Sequence, residues 1–353
     1  MKILHVLAGA EHGGAETAFV DTCIAMREAG QEIEVVTRAN AVRVPRLEQA
    51  GIKVHTLPFG GALDIYTPFI INRICKAFKP AIVQTWMSRA TAKTPKWTPS
   101  SGMPRYLVVS RLGGYYKLKY FKSADYFITI TPDIARHLTE HGVNQTRIHH
   151  INNFAETEKL QEKVDRADYG VPGDAPLLMA LGRLHESKAF DILIRAVKEV
   201  PQGYLWIAGE GPDREKLQKL IDSLGLGARV KLLGWRSDRA ALFDAADICV
   251  LPSRYEPFGT VFVQAWAHKT PLIVSDADGP AQFVRHEEDG LIFPKDDVPA
   301  LTGSIQRLIG DSALSQRLVS NGYARYEGEF TKEKTVQVYL DYFRDICARE
   351  NID

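Results

Sequence analysis

The chain has 353 residues, 45% hydrophobic and 25% charged, with a net charge of +1. That is too long for one small core, suits two domains of about 150–180 residues, and has ordinary globular composition. Its four cysteines, Cys23, Cys75, Cys249 and Cys347, show no CxxC or CxxH spacing. They suggest neither a disulfide framework nor a zinc site, and fit a reducing, cytoplasmic setting.

The opening MKILHVLAGAEHGG has one lysine and a short apolar run broken by glycines and charges. It reads as a first strand, Lys2–Leu7, rather than a signal peptide. Further strands are expected at Ile33–Thr37, Lys53–Leu57, Ala81–Gln84, Tyr106–Val109 and Tyr126–Ile130, with helices over Ala15–Ala29, Pro68–Phe78 and Pro132–His141. A polar segment, Glu156–Pro176, ends in the turn-rich VPGDAP and marks a boundary between domains 1–165 and 170–331. Beyond it, Leu177–Leu181, Tyr204–Ala208, Val230–Leu233, Ile248–Leu251 and Leu272–Val274 read as buried strands. Helices are expected over Ala189–Glu199, Arg214–Leu224, Arg239–Ala245 and Thr260–Ala267, and a long one over Lys332–Glu350. Strands alternating with helices predict an α/β chain with two Rossmann-like, doubly wound domains. No stretch approaches the roughly 18 apolar residues that span a bilayer, so membrane contact is expected to be peripheral. Charge is uneven: residues 1–165 carry a net +6 and residues 166–353 a net −5, so the front half is expected to meet something anionic.

In open parallel sheets, ligands gather at the carboxyl ends of strands, where helix N-termini present spare N–H groups. Four segments fall at such positions. GAEHGGAET, residues 9–17, places Gly13 and Gly14 before a helix, as a close backbone approach to a ligand or as a plain turn. ALGRLHESKAF, residues 180–190, places Arg183 and Lys188 where a diphosphate would sit; alternatively both are solvated surface cations. GEGPDREKLQ, residues 209–218, offers Glu210 as an acceptor for a base or sugar, or as a helix-start residue. LPSRYEPFGTVFVQAWA, residues 251–267, sets Glu256 before Phe258, Gly259, Thr260 and Val261, whose amides suit phosphate or sugar oxygens. Glu256 and Gln264 are eight apart, a spacing that allows one helical face.

As an ordered set, GGAE, GRL with its later lysine, GEGPDR and LPSRYEPFG resemble the retaining GT-B glycosyltransferases of family four over nearly the whole chain. The resemblance implies a nucleotide diphosphate sugar, UDP- or GDP-linked, held by the C-terminal domain. It also implies an acceptor held by the N-terminal domain, a cleft between the two, and a last helix, 332–353, that returns to the first domain. Arg183 and Lys188 would neutralise the diphosphate, and Glu256 would bond the donor sugar. Phe258 to Val261 would supply amides, and Gln264 would stand where relatives hold the ribose with glutamate. Gln282, in DGPAQFV, replaces another glutamate of the family pattern. In the front-face mechanism implied for this class, the departing phosphate oxygen takes the acceptor's proton, so no protein base and no cofactor is required. Trp235, in LLGWRSD, is expected near the base or in the core.

Asp276 and Asp278, in SDADG, have the spacing of a metal pair, but a polar loop is the preferred reading because two cations already serve the phosphates; no metal is expected. A catalytically inactive nucleotide-binding partner protein and a GT-B epimerase or phosphorylase are the alternatives. A dehydrogenase lacks support because neither half has GxGxxG after its first strand. For the acceptor, Ser88 and Arg89 in TWMSRAT replace a histidine common in relatives. From Arg89 to Ser123 there are eight cations, among them Arg111, Lys117, Lys119 and Lys122, with no Asp or Glu and with interleaved aromatics. This run predicts contact with an anionic glycolipid or glycan at the inner membrane face, as in lipopolysaccharide core assembly, rather than with nucleic acid.

Overall fold

The computed structural model describes residues 1–11, 13–61, 63–155 and 162–352. The chain divides into two compact units, Met1–Phe154 with Lys332–Asp353, and Ala155–Thr331. The first unit has strands β1 (Lys2–Leu7), β2 (Glu32–Thr37), β3 (Lys53–Thr56), β4 (Ile82–Trp86), β5 (Leu107–Leu112), β6 (Tyr126–Thr129) and β7 (Ile148–His150). They form one parallel sheet ordered β3-β2-β1-β4-β5-β6-β7. Around it lie α1 (Gly14–Glu28), α2 (Arg43–Gln49), α3 (Tyr66–Phe78), α4 (Met87–Lys93) and α5 (Pro132–Glu140).

The second unit has β8 (Leu177–Leu181), β9 (Tyr204–Ala208), β10 (Val230–Gly234), β11 (Ile248–Leu251), β12 (Leu272–Ser275) and β13 (Leu291–Phe293), in the parallel order β10-β9-β8-β11-β12-β13. Its helices are α6 (Phe190–Lys198), α7 (Arg214–Ser223), α8 (Arg239–Ala245), α9 (Thr260–Ala267), α10 (Val298–Gly310) and α11 (Ser312–Arg325). The central strands are nearly continuous apolar runs, KILHVL in β1 and LLMAL in β8, buried along almost their whole length. Helices on both faces of a parallel sheet require that pattern. In each sheet the strand order reverses once, between β1 and β4 and between β8 and β11. Such a switch point leaves an opening at the carboxyl ends of its two strands.

The last helix, α12 (Lys332–Arg349), completes the core of the first unit. Its Val336, Tyr339, Leu340, Phe343 and Ile346 pack with Phe19, Met26 and Trp86, and Lys332 pairs with Glu28 of α1 at 2.9 Å.

The expected linker Glu156–Pro176 overlaps residues 156–161, which lie outside the described residues. The rest of it belongs to the second unit, so the division falls at Phe154–Ala155 rather than near 165–170. Arg166 fastens this segment by donating to Ala245 O and the Asp247 carboxylate at 2.7 and 2.9 Å. Elements β7, β13, α2, α4, α10 and α11 were not among those expected. α10 and α11 do carry a start signal, because Asp297 accepts from Ala300 N at 2.8 Å and Asp311 from Leu314 N at 2.9 Å. All four cysteines are buried free thiols, and no helix of the described residues is long and apolar enough to cross a membrane.

Candidate functional site

The carboxyl edge of the second sheet is a set of loops laced together through their backbones. Gly182 N donates to Ala208 O, and Leu184 N to Glu210 O, both at 3.0 Å, while Gly209 N reaches Gly234 O at 2.8 Å. Side chains would not fit between these strands of chain. A Cβ on Gly209 would stand 1.8 Å from Gly182 O, and one on Gly211 2.3 Å from Leu184 O. Across the switch point, the amides of Arg254 and Tyr255 both donate to Ser187 O, at 2.8 and 3.2 Å. The loop after β12 joins through Gly279 N, which donates to Glu256 O at 2.9 Å; a Cβ there would lie 2.3 Å from the same oxygen.

Arg254 reinforces the lacing. Its guanidinium bonds Asp191 of α6 through two nitrogens at 3.1 and 2.9 Å, Asp296 at 2.6 Å, and Glu186 O at 2.9 Å. The Asp191 hydrogen bonds raise its pKa, so it remains a cation, and its planar fork suits this divided task. Arg254 was not among the expected site residues. The signal present was a lone arginine directly after a buried strand, inside the segment already marked by Glu256.

Lys188 ends a short turn, and Ala189 after it is fully buried with φ of 51°, in the left-handed region. An alanine held there costs about 1–2 kcal/mol, which the surrounding loop bonds must offset. The bend lays Lys188 across Gly182, whose added Cβ would come 3.5 Å from Lys188 Cε. The ammonium then donates to Glu256 Oε2. Both side chains are largely buried, at 23% and 13% exposure, and each neutralises the other's charge. Glu256 lies against Gly259, which has φ of 86° and heads α9 without a side-chain cap. The first-turn amides of Thr260 and Val261 thus have no side-chain acceptor from the N-cap. Arg183, on the loop after β8, is exposed and makes no hydrogen bond or ion pair among the described residues.

Other expected donor-side residues fall on this edge in different ways. Glu210 is exposed and pairs with Arg214 at 2.7 Å. Trp235 is 80% exposed, so the core alternative does not hold. Phe258 is only 3% exposed and its ring packs on Phe262 and Phe283, which leaves just its backbone to meet a ligand. Gln264 is 6% exposed in the second turn of α9. The single-face argument for Glu256 and Gln264 fails, because α9 starts at Thr260 and Glu256 precedes it. Asp276 accepts from Lys295 N at 2.8 Å, and the Asp278 carbonyl accepts from Gln282 Nε2. Among the described residues, no three His, Cys, Asp or Glu side chains are grouped to hold a metal.

The first unit's switch point carries Gly13, Gly14, Ser88 and Arg89. Gly13 precedes α1 in extended backbone; a Cβ on it would meet Glu16 Oε2 at 2.4 Å, because Glu16 folds back to accept from Ala10 N at 2.7 Å. Gly14 opens α1 with nothing within 4 Å of an added Cβ. Ser88 and Arg89 lie in α4, not in a loop: β4 runs on to Trp86 and Met87, at φ of 63°, turns straight into the helix. Arg89 is exposed and without a partner among the described residues.

The expected basic acceptor face is corrected by half. Arg111 is 2% exposed: it donates to Tyr339 Oη at 3.1 Å and to Asn153, and lies 4.0 Å from the Trp86 ring centre. It fastens α12 to the sheet, because strand β5 points it inward. Lys93 bonds the carbonyls of Gly61 and Asp64 at 2.8 Å each, Lys96 pairs with Asp125 at 3.0 Å, and Arg105 pairs with Glu350 at 2.5 Å. Lys117, Lys119 and Lys122 are exposed and form no ion pair among the described residues.

Comparison with known proteins adds to this geometry. Residues 13–153 match the profile of the glycosyl transferase 4-like domain, and residues 161–325 that of glycosyl transferases group 1. The chain is 34% identical over 353 residues to the lipopolysaccharide core biosynthesis glycosyltransferase LpsD of Rhizobium meliloti, covering 99% of this chain and 100% of that one. It is 33% identical to LpsE of the same organism, covering 96% and 98% of the two chains. Among solved structures, Anabaena Alr3699/HepE in complex with UDP superposes with a TM-score of 0.82 at 22% identity, covering 98% and 100%. WaaG, a glycosyltransferase involved in lipopolysaccharide biosynthesis, gives 0.71 at 16% identity, covering 96% and 99% of the two chains.

Proposed function

The chain belongs to the group 1 glycosyl transferases, glycosyltransferases of the GT-B fold, and from that premise we propose that it transfers a hexosyl sugar, with retention, from a UDP- or GDP-sugar to an anionic lipid-linked glycan. The observation that carries the donor side is the Lys188–Glu256 pair at the β8/β11 switch point, flanked by Arg183, which has no partner among the described residues, and by the start of α9, which has no side-chain cap. When a diphosphate enters, Lys188 leaves Glu256 for the phosphate oxygens. Glu256, freed, accepts from a sugar hydroxyl, and the Thr260 and Val261 amides add neutral donors. Bond making and breaking then follow the front face. The bond from the anomeric carbon to the phosphate oxygen breaks, the bond to the acceptor hydroxyl oxygen forms, and the hydroxyl proton passes to the departing phosphate. Once the donor is bound, Arg183 and Lys188 already face the diphosphate and stabilise it as it leaves, with no divalent ion.

The names of the two Rhizobium relatives support a lipopolysaccharide core acceptor, and the UDP complex of the Anabaena structure makes UDP the first nucleotide to try. Exposed Lys117, Lys119 and Lys122 support an anionic acceptor at a membrane's inner face. The test is transfer from UDP- and GDP-hexoses to truncated lipopolysaccharide core in EDTA, read by mass spectrometry and anomeric NMR. The expected product gains one hexose with the donor's anomeric configuration. Donor hydrolysis without a coupled product, nucleotide binding without turnover, or inversion would overturn the reading.

A further inference from the structure

The first unit carries an exposed apolar cluster that neither its core nor the donor chemistry uses. After β3, Leu63 and Ile65 stand 94% and 84% exposed, and Tyr66 and Phe69 at the start of α3 are 55% and 59% exposed. The inner face of α3, with Thr67, Ile71, Ile74 and Cys75, is already committed to the core, so the outer face is not an unfinished core contact. Tyr66, Phe69, Arg73 and Lys76 follow one another at spacings of three and four, which aligns them in one outward stripe, aromatic first and basic beyond.

The loop is held out in water rather than left to collapse. Asp64, the one carboxylate between residues 60 and 79, accepts from Gly60 N at 2.8 Å and Thr67 N at 2.9 Å. Lys93 at the end of α4 fixes the carbonyls of Gly61 and Asp64. Those bonds turn the only negative charge inward and leave Leu63 and Ile65 outside. α4 is also the anchor of the lysine segment, because Ser123 Oγ donates to Thr91 O at 2.8 Å. The apolar loop and the 117–122 lysines are therefore neighbours across one short helix.

We propose that Leu63, Ile65, Tyr66 and Phe69 enter the interfacial layer of an anionic membrane, with Arg73, Lys76 and the 117–122 lysines on its headgroups. This rests on the lipid-linked acceptor reading and names the face that meets the lipid. Apolar side chains ringed by cations fit an anionic bilayer, where both parts are satisfied at once. A second copy fits poorly, since a twofold contact would set this basic rim against itself. The patch follows β3 and the acceptor candidates Ser88 and Arg89 follow β4, so both lie at the carboxyl edge of one sheet. A glycan whose lipid stays in the membrane would emerge beside them.

The test is sedimentation of the full chain with vesicles of phosphatidylglycerol and phosphatidylcholine, and with phosphatidylcholine alone. The Leu63→Ser/Phe69→Ser variant changes only exposed side chains and should melt like the wild type. It should bind anionic vesicles about tenfold more weakly or worse, and Arg73→Glu/Lys76→Glu should lose at least as much. Transfer to a delipidated acceptor should stay unchanged in the serine variant while transfer to vesicle-borne acceptor falls. If wild type binds anionic vesicles and both variants bind equally well, this face is wrong while the membrane reading stands. If wild type does not bind them, both fall. A wild-type dimer that the serine variant converts to monomer would assign the face to a second copy and overturn the proposal.

Discussion

The two sheets are wound alike, and each presents its switch point at a carboxyl edge, but the edges are finished with different materials. In the second unit the loops after β8, β9, β11 and β12 are joined amide to carbonyl, with glycines where any Cβ would collide. Arg254 holds the lacing; Lys188 and Glu256 pair with each other, and Arg183 has no partner among the described residues. In the first unit the cations are largely consumed by structure, Arg111 on α12 and Lys93 on the 60s loop, and what remains exposed is apolar or basic surface. A rigid charged edge suits a small ligand of fixed shape and high charge. The other edge suits a partner recognised by surface character.

The sharpest way to break this contrast is to remove the second unit's free charges. Arg183→Ala and Lys188→Ala should each lower turnover by tens-fold to a thousandfold, about 2–4 kcal/mol of lost transition-state stabilisation, as read by steady-state kinetics. Arg183→Ala should leave the melting temperature unchanged, because no described residue bonds it. Near-normal turnover in both variants would return this edge to plain surface.

The lacing predicts an asymmetry between glycines. Gly209→Ala puts a Cβ 1.8 Å from a backbone oxygen and should destabilise the second unit by about 3 kcal/mol or more in denaturant melts. Gly13→Ala meets only the end of the flexible Glu16 side chain, in backbone that any residue adopts, and should cost far less.

Acid should separate the units. His5 is fully buried in β1, and desolvation lowers its pKa to about 3, against 6.5 when unfolded. The unfolded chain therefore takes up a proton that the folded one refuses. Stability from this group is complete above pH 6.5, falls as pH drops toward 3, and by pH 5 has lost about 2 kcal/mol. Melts from pH 7 to pH 5 should show that loss in the first unit, and His5→Leu should flatten it. An unchanged pH profile in the variant would place the acid sensitivity elsewhere.

The smallest expected effect concerns the clamp. Arg254→Lys keeps the charge but loses the fork shared by Asp191 and Asp296, so kcat should fall about tenfold with KM little changed. Arg254→Ala should fall further. A lysine variant with full kcat would mean that the backbone lacing alone positions Lys188 and Glu256.

The same difference explains what could be read from the sequence. Apolar runs such as LLMAL and ICVL made the strands visible, and glycine turns with charges made the second unit's edge visible, since strand-end position and residue type together define it. The first unit's edge resisted because a cation in a sequence does not say which way it faces. Arg111 looked like its neighbours Lys117 and Lys119, yet its place on β5 turns it to Tyr339 and Trp86. The apolar cluster at 63–69 drew no expectation, because only the packing of α3 shows that its inner face is already filled and leaves these side chains outside. The spacing of Glu256 and Gln264 suggested a shared helical face, but α9 begins at Thr260 after Gly259, so only Gln264 lies on it.

At the β8/β11 switch point a nucleoside diphosphate would be held by protein charges and amides, without a divalent ion. Calorimetric titration of UDP and of GDP into wild type and Arg183→Ala, with EDTA throughout, tests it most directly. Wild type should bind at least one nucleotide without a divalent ion, and Arg183→Ala should bind it about tenfold more weakly or worse. Binding that appears only with magnesium or manganese, or an affinity untouched by losing Arg183, would contradict it.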